Sequence, residues 1–179
     1  MLNYNVAALL RSAPGTERRY AVAIPDMPIA EDVRLAAPIE GEVRLSRTGR
    51  SILARAHLST ALEASCARCL RPLVALIDVN IEEEALPSID IDSGSSVDRQ
   101  AEPDALRLDE RHELDLGEPI REAISLAEPI SLLCRPECPG LCLVCGVDLN
   151  SGQEHEHPTE GIDPRLARLA EWRDGPESH

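Results

Sequence analysis

Apolar and polar residues alternate along three consecutive segments of the chain. In residues 39–45, 52–64 and 73–81, apolar residues occupy nearly every second position. The turn signal Arg47-Thr48-Gly49 lies between the first two segments. A period of two over stretches this long predicts half-buried antiparallel strands joined by short connections. We therefore predict an N-terminal β-rich domain over residues 1–86, built as an antiparallel β-meander.

A strongly acidic stretch with little periodicity follows the predicted strands. Residues 78–115 contain thirteen acidic residues against three arginines, a local charge of −10. Within this stretch, residues 93–96 read Ser-Gly-Ser-Ser. Such a composition is typical of a solvated linker. We predict an acidic flexible linker over residues 87–114.

The remaining residues, 115–179, are predicted to form a helix, a Cys-rich segment and a short C-terminal helix. Asp115 and Glu118 stand at capping-box spacing, which indicates a helix start. Apolar residues then recur on one face of that helix: Ile120, Ala123, Ile124 and Ala127. Pro129 ends it, and Asp163-Pro164 begins the second, short helix. Strands followed by helices predict an α+β fold in which this zinc-binding unit packs back on the sheet.

The overall composition narrows the range of functions. The chain has 179 residues, 43% of them hydrophobic, with 32 acidic and 18 basic residues and a formal net charge of −14. It contains no lysine, which excludes Schiff-base lysine chemistry and the lysine of a phosphate-binding loop. Its three aromatic residues are too few for a base-stacking RNA platform. No hydrolase or zinc-protease motif is present. We predict that the protein is not an enzyme, and we identify no small-molecule substrate.

The sequence also indicates a cellular compartment. The N-terminus has no charged head followed by a long apolar run, and no apolar stretch has the length of a membrane span. We therefore expect a soluble, cytoplasmic protein without a membrane partner. Thiols stay reduced in the cytoplasm, so closely spaced cysteines there indicate metal ligands or redox groups before structural disulfides.

The six cysteines occur in close pairs. Cys66 and Cys69 are separated by two residues, between two of the predicted strands. The other four lie downstream: Cys134, Cys138, Cys142 and Cys145. Two thiols separated by two residues at a tight turn can both point at one Zn²⁺ ion about 2.3 Å away. The pattern predicts structural zinc, because four cysteines leave no coordination position for water.

Two ligand assignments are consistent with the spacing. In the first, the four downstream cysteines hold one ion, and Cys66 and Cys69 are spare. In the second, Cys66 and Cys69 join Cys134 and Cys138, while Cys142 and Cys145 pair with His155 and His157. We favour the second assignment, since it gives every pair a role and closes a long loop. The alternatives to metal binding are reduced thiols buried in a core and a redox-active dithiol.

Basic residues concentrate in one part of the predicted sheet. Residues 41–73 contain six arginines against two glutamates, a local charge of +4. The candidate partner-binding residues are Arg44, Arg47, Arg50 and Arg55. They could contact RNA or an acidic partner, because arginine side chains neutralise phosphate and carboxylate groups. The alternative is a solvated outer face of the sheet.

Several sequence motifs together resemble a known family. They are Cys66-Ala67-Arg68-Cys69-Leu70, Asp115-Leu116-Gly117-Glu118, the run from Gly140 to Asn150, and Asp163-Pro164-Arg165-Leu166-Ala167. The chain resembles the YceD-like family of bacterial and plastid proteins, described as large ribosomal RNA subunit accumulation proteins. The resemblance extends from about residue 40 to the end of the chain. Many members carry a CxC sequence where this chain has His155-Glu156-His157, a departure that keeps metal-ligating residue types.

The resemblance implies a cellular role and does not imply a chemical reaction. It implies a role in the synthesis, processing or stability of large-subunit 23S rRNA, with no known catalytic activity. The expected partner is a ribosomal protein or large-subunit rRNA, and the acidic stretch over residues 78–115 could attract a basic ribosomal protein. The competing interpretations are a thiol redox protein that uses its CxxC pairs and a generic zinc-ribbon interaction module.

Overall fold

The computed structural model describes residues 2–97, 105–152, 156–157 and 165. Its strands are β1 (Asn3–Asn5), β2 (Glu17–Ile24), β3 (Leu35–Thr48), β4 (Ser51–Ser65), β5 (Pro72–Leu86), β6 (Leu106–Arg107) and β7 (Glu113–Asp115). Its helices are α1 (Ala7–Leu10), α2 (Gly117–Leu126) and a 3₁₀ turn at Leu149–Ser151. The predicted short helix after Asp163-Pro164 lies outside the described residues.

The strands form one large sheet and one small one. The large sheet has the order β2-β3-β4-β5-β6, in which β2 to β5 are an antiparallel meander and β6 pairs parallel to the end of β5. The longest pairing joins β4 to β5, from Ile52 opposite Ala85 to Ser65 opposite Pro72. The small sheet pairs β1 with β7. Strands β4 and β5 are the two longest, and the connection between them lies at one end of the sheet.

One face of the large sheet forms the hydrophobic core. Ile39, Val43 and Leu45 of β3 are fully buried, because alternate side chains of a strand point to the same face. Ile120 and Ile124 of helix α2 belong to the same buried cluster. Burial of each such side chain stabilises the fold by about 1.5–3 kcal/mol. The opposite face of the sheet carries most of the charged side chains of these strands.

The α+β prediction is wrong, because the fold is mostly β. Strands account for 44% of the described residues and helices for 12%. Part of the segment predicted as an acidic linker belongs to the folded structure: Leu106 pairs with Ala85 in β6, and Leu108 is fully buried. A few leucines therefore hold this segment against the core despite its charge. The division into units at residues 86 and 114 stays a prediction.

The predicted C-terminal arrangement of a helix with a Cys-rich unit packed on the sheet is wrong as well. In its described residues, the Cys-rich segment has no regular structure beyond the 3₁₀ turn at Leu149–Ser151 and one bridge between Leu141 and Asp148. Its first two cysteines lie against the turn between β4 and β5, in a small cluster separate from the main core. Contacts between turns, and not a second layer of helices, hold this segment.

No helix in the described part of the chain is both long and apolar enough to cross a membrane.

Gly41 provides a test of the close packing of β3 on β4. A Cβ atom at Gly41, whose φ is +154°, would lie 2.1 Å from the carbonyl oxygen of His57. We expect Gly41→Ala to lower the free energy of unfolding by about 2–3 kcal/mol, in the upper range for overpacking. Gly49→Ala is the matched control, since a Cβ there meets nothing within 4 Å and costs only about 1 kcal/mol of left-handed strain. Urea unfolding measures both values, and equal losses would contradict the close approach.

Candidate metal centre

The turn between β4 and β5 is a compact loop that contains Cys66 and Cys69. The backbone N–H of Cys66 donates to the carbonyl of Arg71, and the N–H of Leu70 donates to the carbonyl of Cys66, both at 2.9 Å. Leu70 closes the loop with a φ of 59°, a left-handed conformation that is uncommon for a leucine. Cys66 and Cys69 are both buried. We call the loop Cys66–Arg71 the first knuckle.

A distant part of the chain lies directly on this knuckle. The N–H of Ala67 donates to the carbonyl of Leu132 at 2.8 Å, and the N–H of Leu141 donates to the carbonyl of Arg68 at 3.1 Å. The guanidinium of Arg68 donates from Nη1 to the carbonyl of Cys138 at 2.8 Å. These bonds place residues 132–141 beside the first knuckle.

Gly140 makes this approach sterically feasible. Its φ is +83°, and a Cβ atom there would lie 3.0 Å from the carbonyl oxygen of Arg68 and 3.1 Å from the Arg68 Cβ. Glycine adopts a positive φ without strain and has no side chain to separate the two backbones. The Pro-Gly sequence before Leu141 therefore decides where the distant cysteines come to lie.

Four sulfur atoms converge at this contact. The Sγ atoms of Cys66 and Cys138 are 3.8 Å apart, and those of Cys69 and Cys134 are 3.7 Å apart. All four Sγ atoms lie within 4.8 Å of one another. Ligands about 2.3 Å from a tetrahedral Zn²⁺ ion are separated by about 3.8 Å, whereas a disulfide requires about 2.05 Å. The donor set and its spacing fit tetrahedral zinc.

The four-cysteine cluster is shielded from solvent. Cys66 and Cys138 have no exposed surface, and the partly buried Leu73, Leu133 and Leu141 pack around the cluster. Such a site leaves no position for a reactive water, which is the arrangement of structural zinc.

The thiols of this cluster differ in how readily they ionise. Backbone N–H groups, first that of Cys134 and then those of Cys69 and Arg68, lower the pKa of Cys66 to about 6. Burial, together with the neighbouring thiols, raises the pKa of Cys134 to about 12. Four sulfurs this close repel one another as thiolates, and a bound divalent cation would offset that repulsion. The electrostatics therefore favour a cation at the centre of the cluster.

A second, smaller cluster lies downstream. One ligand atom from each of Cys142, Cys145 and His157 falls within 4.8 Å of the others. The Cys142 Sγ is 3.3 Å from the His157 Nε2. Cys145 is exposed, unlike the cysteines of the first cluster. His155, the other predicted histidine ligand, lies outside the described residues.

The structure separates the predicted ligands into two groups. It brings Cys66, Cys69, Cys134 and Cys138 together and places Cys142 and Cys145 in the other cluster. This grouping corresponds to the second ligand assignment and not to a single site of four downstream cysteines. Metal binding at either group stays a prediction.

Two of the candidate partner-binding arginines lie opposite each other on β3 and β4. Arg44 and Arg55 are paired in register. The Arg44 Nε is 2.6 Å from Glu42, and the Arg55 Nε is 2.8 Å from Glu82. Each guanidinium thus has a carboxylate neighbour, which reduces its attraction for phosphate.

The other two arginines lie at the turn between β3 and β4. Arg47 donates from Nε to the carbonyl of Gly49 at 2.7 Å and also to the carbonyl of Ser12. Arg50 is exposed at the same turn. The structure therefore places the four candidate arginines in two small groups, one paired across the sheet and one at its end.

Three residues that build the candidate metal centre were not predicted as contacts of the cysteines, although all three lie in motifs that carry the family resemblance. Arg68 and Gly140 hold the two turns together, as described above. Asn150 donates from Nδ2 to the Sγ of Cys138 at 3.5 Å. The Pro-Gly dipeptide at 139–140 was a turn signal available in the sequence, but nothing in the sequence marks Arg68 or Asn150 as a contact of the cysteines.

Comparison with known proteins identifies the family. The family model described as "Large ribosomal RNA subunit accumulation protein YceD" matches residues 54–172, a range that includes all six cysteines. The chain belongs to the YceD family. No solved structure matches this YceD family member.

Curated relatives match a large part of the chain. An uncharacterized protein of Mycobacterium tuberculosis (strain ATCC 25618 / H37Rv) is 36% identical over 143 residues, which cover 79% of this chain and 65% of the relative. An uncharacterized protein of Mycobacterium leprae is 28% identical over 140 residues, 78% of this chain and 61% of the relative. The chain thus spans less than two thirds of the length of these relatives.

A plant protein matches a short part of this YceD family member. It is the chloroplastic "Large ribosomal RNA subunit accumulation protein YCED homolog 1" of Zea mays, 44% identical over 39 residues. The match covers 22% of this chain and 13% of the plant protein.

Leu70 provides a test of the first knuckle's backbone conformation. Leu70→Gly removes a left-handed leucine, which costs about 1–2 kcal/mol, but adds the entropy cost of ordering a glycine, about 0.5–1 kcal/mol. Because Leu70 is 64% exposed, we expect a net gain of about 0.5–1 kcal/mol in the free energy of unfolding. Leu76→Gly is the matched control, since Leu76 is an exposed leucine within β5. This control should lower the free energy of unfolding by about 0.5–1 kcal/mol, the entropy cost of ordering the glycine. Urea unfolding distinguishes the two, and a loss in both would contradict the left-handed turn.

Proposed function

We propose that this YceD family member is a non-enzymatic ribosome-biogenesis factor that supports the synthesis, processing or stability of 23S rRNA. The family match over residues 54–172 is the observation that supports the process. The same range contains the four-cysteine cluster, for which we propose a structural Zn²⁺ ion. We also propose that the protein acts in the cytoplasm, where ribosomal partners are present and thiols stay reduced.

The proposed zinc ion would join two distant parts of the chain. Cys66 and Cys138 are 72 positions apart, and Cys69 and Cys134 are 65 positions apart. Beyond the cysteines, the contacts between these parts in the described residues include a few hydrogen bonds, partly buried leucines and an ion pair between Arg71 and Asp148. Structural zinc contributes its binding free energy to folding. We infer that zinc maintains the surface formed by the first knuckle and residues 132–141.

The charge distribution favours a protein partner over direct RNA contact. The net charge of −14 repels phosphate, since RNA affinity depends on basic groups that release counterions. Arg44 and Arg55 are each paired with a glutamate. The Arg47–Arg50 turn is the best remaining candidate for an RNA contact. We propose a ribosomal protein as the partner, with large-subunit rRNA as the alternative.

A thiol redox function is the second candidate, because the pKa of Cys66 is lowered to about 6. Reactive cysteines combine a low pKa with access to solvent. Cys66 is fully buried instead, and its sulfur lies in a group of four that fits a metal ion. The geometry therefore supports zinc more than redox chemistry.

Removal of the first knuckle's ligands tests the structural zinc. The double variant Cys66→Ser/Cys69→Ser should lose the ion of the four-cysteine cluster and at least about 3 kcal/mol of stability, equivalent to about 6–12 °C in Tm for a chain of this size. Elemental analysis and thermal unfolding of untagged protein measure the two effects. Ala75→Ser is the matched control, since it also places a hydroxyl at a buried position and should keep its zinc. Unchanged zinc content in the double variant would refute the site.

The ribosomal role is tested in cells that lack the gene. We expect the ratio of 23S to 16S rRNA to fall on deletion and to recover with the wild-type gene. Cys66→Ser/Cys69→Ser should not restore the ratio when expressed at the same protein level, whereas Gly49→Ala should. An unchanged ratio in the deletion strain would show that the proposed process is wrong.

A titration of the protein with RNA distinguishes the two candidate partners, a ribosomal protein and large-subunit rRNA. If Arg47 and Arg50 contact phosphates, then Arg47→Gln/Arg50→Gln should reduce the slope of log affinity against log salt by about 1.4–1.8 for a 23S rRNA transcript. An unchanged slope, combined with full recovery of the 23S ratio by this variant, would support the protein partner.

A further inference from the structure

The loop around Cys142 repeats the backbone conformation of the first knuckle. The N–H of Cys142 donates to the carbonyl of Val147, and the N–H of Gly146 donates to the carbonyl of Cys142, both at 2.9 Å. These are the two bonds that close the first knuckle, at the same spacing from the first cysteine and with the same lengths. We call the loop Cys142–Val147 the second knuckle.

The two knuckles also agree in finer detail. The residue after the second cysteine is left-handed in both, with a φ of 59° at Leu70 and 73° at Gly146. In the second knuckle, the N–H of Val144 also donates to the Sγ of Cys142 at 3.4 Å. An N–H directed at sulfur favours the thiolate, which is the form that binds metal. The second knuckle therefore has the geometry of a metal-binding loop.

His157 supplies a third donor to the second knuckle. Its Nε2 lies 3.3 Å from the Cys142 Sγ, close to the separation of about 3.5 Å expected between sulfur and nitrogen ligands of a tetrahedral zinc ion. The Sγ of Cys145 completes a group whose members lie within 4.8 Å of one another. Two thiolates and one imidazole bind zinc in proteins with water in the fourth coordination position.

We infer that Cys142, Cys145 and His157 form a second zinc site, separate from the four-cysteine cluster, and that this site exchanges its metal faster. The inference concerns the second knuckle alone and does not depend on the ribosomal role. The existence of the second site also does not depend on zinc at the four-cysteine cluster, because the two groups share no ligand, whereas the comparison of exchange rates rests on the zinc proposed there.

The difference in exchange follows from the exposure of the ligands. Cys145 and His157 are exposed, whereas Cys66 and Cys138 have no exposed surface. A chelator can reach the exposed ligands without prior opening of the fold, whereas access to buried ligands requires local unfolding. The second site should therefore release zinc before the first.

The experiment follows zinc release from the untagged full chain. After purification in the presence of zinc and removal of free metal, elemental analysis should find two zinc ions per chain. Addition of the chromogenic chelator 4-(2-pyridylazo)resorcinol should then remove one ion at least tenfold faster than the other.

Variants assign the two phases to their sites. Cys142→Ser/Cys145→Ser and, separately, His157→Ala should abolish the fast phase and keep the slow ion. His57→Ala is the matched control, since that histidine contacts Asn80 on the outer face of the sheet, and it should keep both phases. Cys66→Ser/Cys69→Ser should lose the slow ion only, as long as its circular dichroism spectrum shows a folded protein.

Cobalt substitution provides a readout that does not rely on release rates. In Cys142→Ser/Cys145→Ser the thiolate-to-cobalt absorption should correspond to one four-thiolate site. In the wild-type protein a second band set from a two-thiolate site should appear on addition of the second equivalent of Co²⁺.

The outcomes separate this inference from the proposed structural zinc. One slow ion in the wild-type protein, unaffected by Cys142→Ser/Cys145→Ser, would overturn the second site and leave the first intact. One fast ion that is lost in His157→Ala would support the second site while refuting zinc in the four-cysteine cluster. Two ions released at the same rate would overturn the predicted difference in exchange.

Discussion

The position of the Cys-rich segment depends on the convergence of four sulfur atoms at the end of the sheet. The first knuckle comes from the connection of the two longest strands, so its position is fixed by the β4–β5 pairing. The partner cysteines arrive on a segment with almost no regular structure. That segment can reach the knuckle only because Gly140 allows backbone contact with Arg68 and because Arg68 bonds to the carbonyl of Cys138. Packing, hydrogen bonding and the proposed metal coordination thus all involve the first knuckle.

The sequence predicted local features well and long-range ones poorly. The alternation of apolar residues located strands β3, β4 and β5, because a half-buried strand leaves a period of two. The assignment of partners among the cysteine pairs could not be decided by spacing, since each CxxC carries the same local signal. The fold class was wrong because, in the described residues, the strands are followed by the ten-residue helix α2 and by a Cys-rich segment whose only helical part is a 3₁₀ turn. The charge of the acidic segment also outweighed its leucines in the pattern, although Leu108 and Leu114 are fully buried.

The charges of this protein also show why residue counts are a weak guide to a binding surface. Residues 41–73 carry a net positive charge, yet Arg44 and Arg55 face glutamates on the strands themselves. One of these, Glu82, belongs to β5 and lies outside the counted segment. In a sheet, the electrostatic neighbours of a side chain are the residues two positions away on its own strand and the residues across the strands. The net charge of a sequence segment therefore overstates how strongly the folded surface attracts phosphate.

The separation of the paired cysteines along the chain has a consequence for how the protein is made. Cys69 and Cys134 are 65 positions apart, so the first knuckle leaves the ribosome well before its partners. At synthesis rates of roughly 5–20 residues per second, the interval is about 3–13 s. During that time the nascent chain exposes half of the proposed coordination shell to oxidants and to competing metals. With the proposed zinc ion, translation speed and the local supply of zinc become part of the folding pathway of this protein.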